Sequence, residues 1–205
     1  MKKSIIFTGV LILIIAVFVA GCTSNSPAST TTPLPTTARL STVDPSDMAL
    51  TLSDVPAGFS IVEGSEKTSS DVSQESLGKG WEKGYYVKFQ KVNSATGTGI
   101  PDMEIIEQTI SVYPISNLPQ VMTMVSTGIL QEANATVTVD QLSNPNIGDV
   151  SQAWRIKTQL QGIQLTGFTI SYHKKNVWEG LSMVGTSADY ATLKNLANVS
   201  ASKIR

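Results

Sequence analysis

A single cysteine, Cys22, stands at the end of an apolar run from residue 5 to residue 20 that only Thr8 and Gly9 interrupt. With one thiol the chain can form neither an internal disulfide nor a thiolate metal site, so whatever folds beyond it must be held by a hydrophobic core. Met1, Lys2 and Lys3 give the run a basic start, and Val19, Ala20 and Gly21 give it a small-residue end. That combination is the pattern of a secretory signal. The 205 residues, less such a leader, suit one domain and a linker.

The four residues Val19-Ala20-Gly21-Cys22 resemble the lipobox of prokaryotic lipoproteins. The resemblance implies that residues 1–21 are removed, that Cys22 becomes the first residue, and that its thiol carries a diacylglyceryl lipid. A spanning helix is the competing reading, but it wants about 20 apolar residues, and this run is at the short end. Lys2 and Lys3 hold the start inside, so either anchor puts the rest of the chain outside the cytoplasm. The expected address is the outer face of the cytoplasmic membrane or the cell surface, with the membrane as first partner through the lipid on Cys22.

Fourteen of the twenty residues from 23 to 42 are Ser, Thr or Pro. Such a segment buries too little apolar surface to offset its ordering entropy, so residues 22–42 read as the lipidated cysteine and a disordered stalk. Residues 43–205 then form a single domain. The whole chain has 15 Lys and Arg against 16 Asp and Glu, and loss of Lys2 and Lys3 leaves a formal charge of −3. This is no footprint for nucleic acid, which needs clustered basic residues.

Within the domain, period two and period 3.6 alternate. Tyr85, Val87 and Phe89 alternate with polar residues, as do Ile110 and Val112, Trp154 and Ile156, and Phe168, Ile170 and Tyr172, all marking strands. A strand is also expected at 59–63, short strands at Val137 and Val139, and a hairpin turn over His173, Lys174, Lys175 and Asn176. Residues 69–77 read as a short helix capped by Ser69 or Ser70. Leu118, Val121, Met122, Val125 and Ile129 make one apolar stripe on a helix opened by Asn117 and Pro119 and ended by Asn134. Tyr190, Leu193, Ala197, Ala201 and Ile204 make another over 187–204, with Thr186 and Asp189 as a capping box.

The order is strand, short helix, two strands, long helix, four strands, terminal helix. It predicts an α+β domain with a mainly antiparallel sheet packed against helices. The order of elements, above all the hairpin over 168–184 followed by the last helix, is similar to that of the Mog1/PsbP-like fold. That family includes extracytoplasmic accessory proteins without catalytic residues, so the resemblance implies no catalytic site.

Motifs for chemistry are sparse. His173, the only histidine, sits beside Lys174 and Lys175 at a predicted exposed turn, with no partner for a general base in view. Gly78, Gly80 and Gly84 lack the lysine and spacing of a phosphate loop, and there is no HExxH zinc motif. Asp102, Glu104 and Glu107 form a small acidic cluster without the EF-hand pattern, read as a solvated edge rather than a calcium site. Trp81, Trp154 and Trp178 could form a sugar platform, but Trp by default packs in cores. No catalytic residue, cofactor or metal is expected. Asn134-Ala135-Thr136 and Asn198-Val199-Ser200 are N-glycosylation sequons.

The reading that follows is a membrane-tethered binding or accessory module and not an enzyme. The alternatives are a surface hydrolase that uses carboxylates alone and a structural envelope protein. If all the apolar rows meet one helical layer, the polar rows with Lys88, Gln90, Thr109, Ser111, Arg155, Lys157, Thr169 and Ser171 gather on the other face. That open, basic face is the expected binding surface, with Lys88, Gln90, Arg155 and Lys157 at its centre. Its expected partner is an anionic envelope polymer or an acidic protein patch.

Overall fold

A computed structural model describes residues 40–93, 102–160 and 163–205. The lipobox with Cys22 and the stalk up to residue 39 lie outside the described residues. A one-turn helix, α1 (Pro45–Met48), precedes an exposed strand β1 (Ser60–Lys67), a 3-10 turn (Ser69–Asp71) and a short helix α2 (Gln74–Gly78). Strands β2 (Lys83–Asn93) and β3 (Asp102–Val112) follow, then a second 3-10 turn (Ile115–Asn117) and helix α3 (Leu118–Gln131). Four strands come next, β4 (Val137–Gln141), β5 (Val150–Leu160), β6 (Ile163–Lys174) and β7 (Val177–Gly185), and helix α4 (Tyr190–Lys203) ends the domain. The seven strands form one antiparallel sheet in the order β1-β2-β3-β7-β6-β5-β4. The α+β class and antiparallel sheet are therefore as the sequence predicts.

The helix ends have local causes. Pro119 lies in the first turn of α3 as expected, but the Asn117 side chain does not cap it: its Nδ2 donates to Lys79 O at 3.0 Å, and a 3-10 turn takes the place of the first residues. The stripe of Leu118, Val121, Met122, Val125 and Ile129 is the buried face of α3. Helix α4 starts at Tyr190 because the Asp189 side chain accepts from Thr192 N at 2.7 Å, so Asp189 is the cap itself rather than the third residue after Thr186. Ser73, not Ser69 or Ser70, caps α2 by accepting from Ser76 N. The β6–β7 turn is tighter than expected: β6 runs through His173 and Lys174, and Lys175 takes the positive φ that closes it.

The layering differs from the sequence expectation. The register pairs Phe89 with Ile106, Ile106 with Met183, Met183 with Phe168, and Phe168 with Arg155. Cross-strand partners share a face, so this row faces the core formed with α1 and α4, where Met48, Leu50, Leu193, Leu196, Ala197 and Ile204 are buried. The next row runs Lys88, Glu107, Ser182, Thr169, Trp154. It lies on the opposite face, where α3 packs its stripe against Trp154, Trp178 and Tyr113. The sheet is thus covered on both faces, with α1 and α4 on one and α3 on the other. The apolar row of β5 and that of β6 point to opposite layers, which two separate cores allow and one would not.

The two sheet edges are unlike. β4 is five residues long. β1 is eight, exposed almost throughout, and carries Glu63, Glu66 and Lys67 and an irregularity between Ile61 and Glu63. Charge and a bulge are the usual guards of such an edge.

Candidate functional site

The predicted basic face does not form. Lys88 and Gln90 lie on the α3 side of the sheet, whereas Arg155 and Lys157 lie on the α4 side, because the register that joins Lys88 to Trp154 places Arg155 with Phe168. Lys88 and Arg155 are also each paired with a carboxylate. Lys88 Nζ is 3.0 Å from Glu107 Oε1, and Arg155 donates two hydrogen bonds to Asp140 Oδ2 at 2.8 and 3.1 Å. Thr169, Ser171 and Ser111 are not on a wet face but buried around α3. Ser171 Oγ accepts from Trp178 Nε1 at 2.9 Å and lies 3.5 Å from Met122 Sδ.

The acidic cluster is split as well. Glu104 and Glu107 fall on opposite faces, the first paired with Lys91 at 3.6 Å and the second with Lys88. Among the described residues no group of three or more His, Cys, Asp or Glu side chains is arranged to hold a metal ion. Trp154 and Trp178 are core residues under α3. Trp81, half-buried beside them, donates from Nε1 to Ser111 Oγ at 3.2 Å, so the three indoles form no open platform. His173 is not an exposed turn residue: its side chain is 12% exposed at the end of β6, and burial lowers its pKa against the opposing pull of Asp149. Burial therefore favours the neutral imidazole.

Sequence reasoning missed a buried polar knot on the α4 side. Glu179 in β7 is fully buried, and its Oε2 accepts from Tyr172 at 2.5 Å, Ser200 at 2.7 Å and Gln108 at 3.1 Å. Gln108 in turn accepts from Leu50 N at 2.7 Å. The knot ties β3, β6 and β7 to α4 and to the segment after α1. Burial outweighs these donors and raises the Glu179 pKa. The carboxyl is out of a substrate's reach, and the knot is structural. Only the apolar residues on both sides of Glu179 in β7 hinted at it, since a glutamate set among them must be buried with its neighbours.

The described residues also form a small depression on the α3 side of the sheet. It is lined from β5, β6 and β7 by Ile156, Thr158, Leu165, Gly167, Thr169, Ser182 and Val184, together with Phe168 and Met183, whose register puts them in the α4-facing row. Gly167 makes its floor: a Cβ there would meet nothing nearer than Val184 at 3.6 Å. Lys88 and Glu107 continue the Ser182 and Thr169 row from β2 and β3, and Glu107 also hydrogen-bonds Tyr86. Burial raises the Tyr86 pKa, with Glu107 adding to it. The depression is apolar on its floor, polar at one side, and without unpaired charge among Lys88 and Glu107. Its free volume is about 10 Å³, room for a group about the size of a water or a methyl.

No protein-family model and no curated protein sequence matches the chain. The domain is similar in fold to the crystal structure of the extracellular domain of PknH from Mycobacterium tuberculosis, with a TM-score of 0.57 at 11% identity, covering 78% of this chain and 91% of that one. LpqN of Mycobacterium tuberculosis, described as involved in cell envelope biogenesis, aligns at a TM-score of 0.34 and 11% identity over 72% of this chain and 78% of its own.

Proposed function

We propose that this chain is a membrane-tethered, extracytoplasmic binding module, and that the depression on the α3 side receives an apolar side chain of a protein partner. The observation that carries the reading is the depression itself: half-buried Leu165 and Val184 around Gly167, on the sheet face that α3 packs against. The basic start, apolar run and Cys22 support the address. The fold, shared with an extracellular domain, is in keeping with it. The pairing of Lys88 with Glu107 and of Arg155 with Asp140 supports an apolar contact over an anionic partner.

A neutral solvatochromic dye tests whether the depression takes apolar groups. The domain is expected to shift its emission to the blue, and Gly167→Leu, which fills the floor, is expected to abolish the shift with the circular dichroism unchanged. Equal emission from both proteins rejects the depression as the site.

A further inference from the structure

The sequence places Asn134 at a helix end, the more accessible of the two sequons, and the fold separates them sharply. An oligosaccharyltransferase reads both the asparagine amide and the hydroxyl two residues on, so both must be reachable. Asn134, Ala135 and Thr136 are all exposed, in the turn between α3 and β4. Asn134 Oδ1 accepts from Thr136 N at 2.8 Å, Thr136 Oγ1 at 2.9 Å and Val137 N at 3.1 Å. Asn134 Nδ2 donates to Glu132 O at 3.1 Å, an exposed bond that water can replace.

Asn198 is exposed too, but it lies within α4, where its Nδ2 donates to Lys194 O at 3.0 Å. Its partner hydroxyl, Ser200, is fully buried in the Glu179 knot, where it donates to Glu179 Oε2 at 2.7 Å and accepts from Gln108 Nε2 at 2.6 Å. No enzyme reaches Ser200 without unwinding α4.

We infer that the folded domain is an N-glycan acceptor at Asn134 and not at Asn198. The donor is a lipid-linked oligosaccharide. The Asn134 Nδ2–C bond to the anomeric carbon forms as the bond from that carbon to the lipid phosphate oxygen breaks. The amide nitrogen gives up one proton, the lipid phosphate leaves with the electron pair, and nothing is oxidised. A glycan here stands at the entrance to β4, the short edge strand, and shields its unpaired side.

The test incubates the purified, folded chain with a single-subunit oligosaccharyltransferase and a lipid-linked oligosaccharide and maps the products by peptide mass spectrometry. It uses soluble protein, so its outcome is independent of the partner-binding reading. Glycan is expected on Asn134, lost in Asn134→Gln and unchanged in Asn198→Gln. A free peptide covering 192–205 is expected to be modified at Asn198, because outside the fold Ser200 is accessible. An unmodified Asn134 in the folded chain, or a glycan on its Asn198, overturns the inference.

Discussion

Lys88 and Glu107 face each other across β2 and β3 with 3.0 Å between Nζ and Oε1, and their side chains are only 12% and 11% exposed. A pair so shielded makes each partner costly to remove alone. Lys88→Ala leaves the Glu107 carboxylate with Tyr86 as its nearest donor, and should destabilise the domain by about 3 kcal/mol, the low end for a broken buried pair. Replacing both, as Lys88→Met with Glu107→Leu, should recover most of that loss. Urea unfolding of the two proteins checks it; a double variant no more stable than the single one contradicts the pairing.

Glu179 makes stability depend on pH in a defined direction. Burial raises its folded-state pKa above the ordinary 4.5. The folded chain therefore holds the proton more tightly than the unfolded chain. The contribution is present in full below the unfolded pKa and is lost as pH rises through the folded one. Glu179→Gln keeps the acceptor for Tyr172, Ser200 and Gln108 without a charge to bury. Its stability relative to the parent should rise between pH 5 and pH 8, measured by urea unfolding at each. A difference that stays constant with pH would show that Glu179 does not titrate in this range.

The element order, the antiparallel sheet and the buried stripe of α3 were legible in the sequence because each is written in local periodicity. The face of each strand was not. Alternation says that one side of a strand is buried, and does not say against which layer. Trp154 and Ile156 of β5 face α3, whereas Phe168, Ile170 and Tyr172 of β6 face α4. Reading all apolar rows as one face therefore brought Lys88 and Arg155 together when the register separates them. β7 held the missing signal. Val177, Trp178, Leu181, Met183 and Val184 put apolar side chains on both sides, as a central strand covered on both faces requires. The depression on the α3 side was beyond reach, since it is made by residues from three strands.

Two cores on opposite sides of one sheet should respond independently. Ile129 is fully buried on the sheet-facing side of α3, and Ile204, 1% exposed, is buried in the core at the end of α4. Ile129→Val and Ile204→Val should each cost about 0.5–1.5 kcal/mol. The double variant should equal their sum within roughly 0.5 kcal/mol, as for residues without shared partners. A larger coupling would mean that the two layers communicate through the sheet.

Glycine positions offer an internal comparison. Gly148 has a φ of +64°, and a Cβ there would come within 2.4 Å of His173 O. Gly148→Ala should therefore destabilise the domain by more than about 1 kcal/mol. Gly167→Ala, whose Cβ would meet Val184 Cγ2 and Met183 O at ordinary contact distances of 3.6 and 3.7 Å, should leave the melting temperature within a few degrees of the parent. A Gly167→Ala as damaging as Gly148→Ala would show that the depression floor is closed.

Site-specific photocrosslinking in native membranes tests the binding reading most directly. A photoreactive residue is placed at Thr158 or Ser182 in the depression, and as a control at Asn195 on the exposed side of α4. A defined protein adduct should form from Thr158 and Ser182, disappear when Gly167→Leu is added, and not form from Asn195. Adducts from Asn195 with none from Thr158 or Ser182 would place the partner on the other side of the sheet and contradict the account.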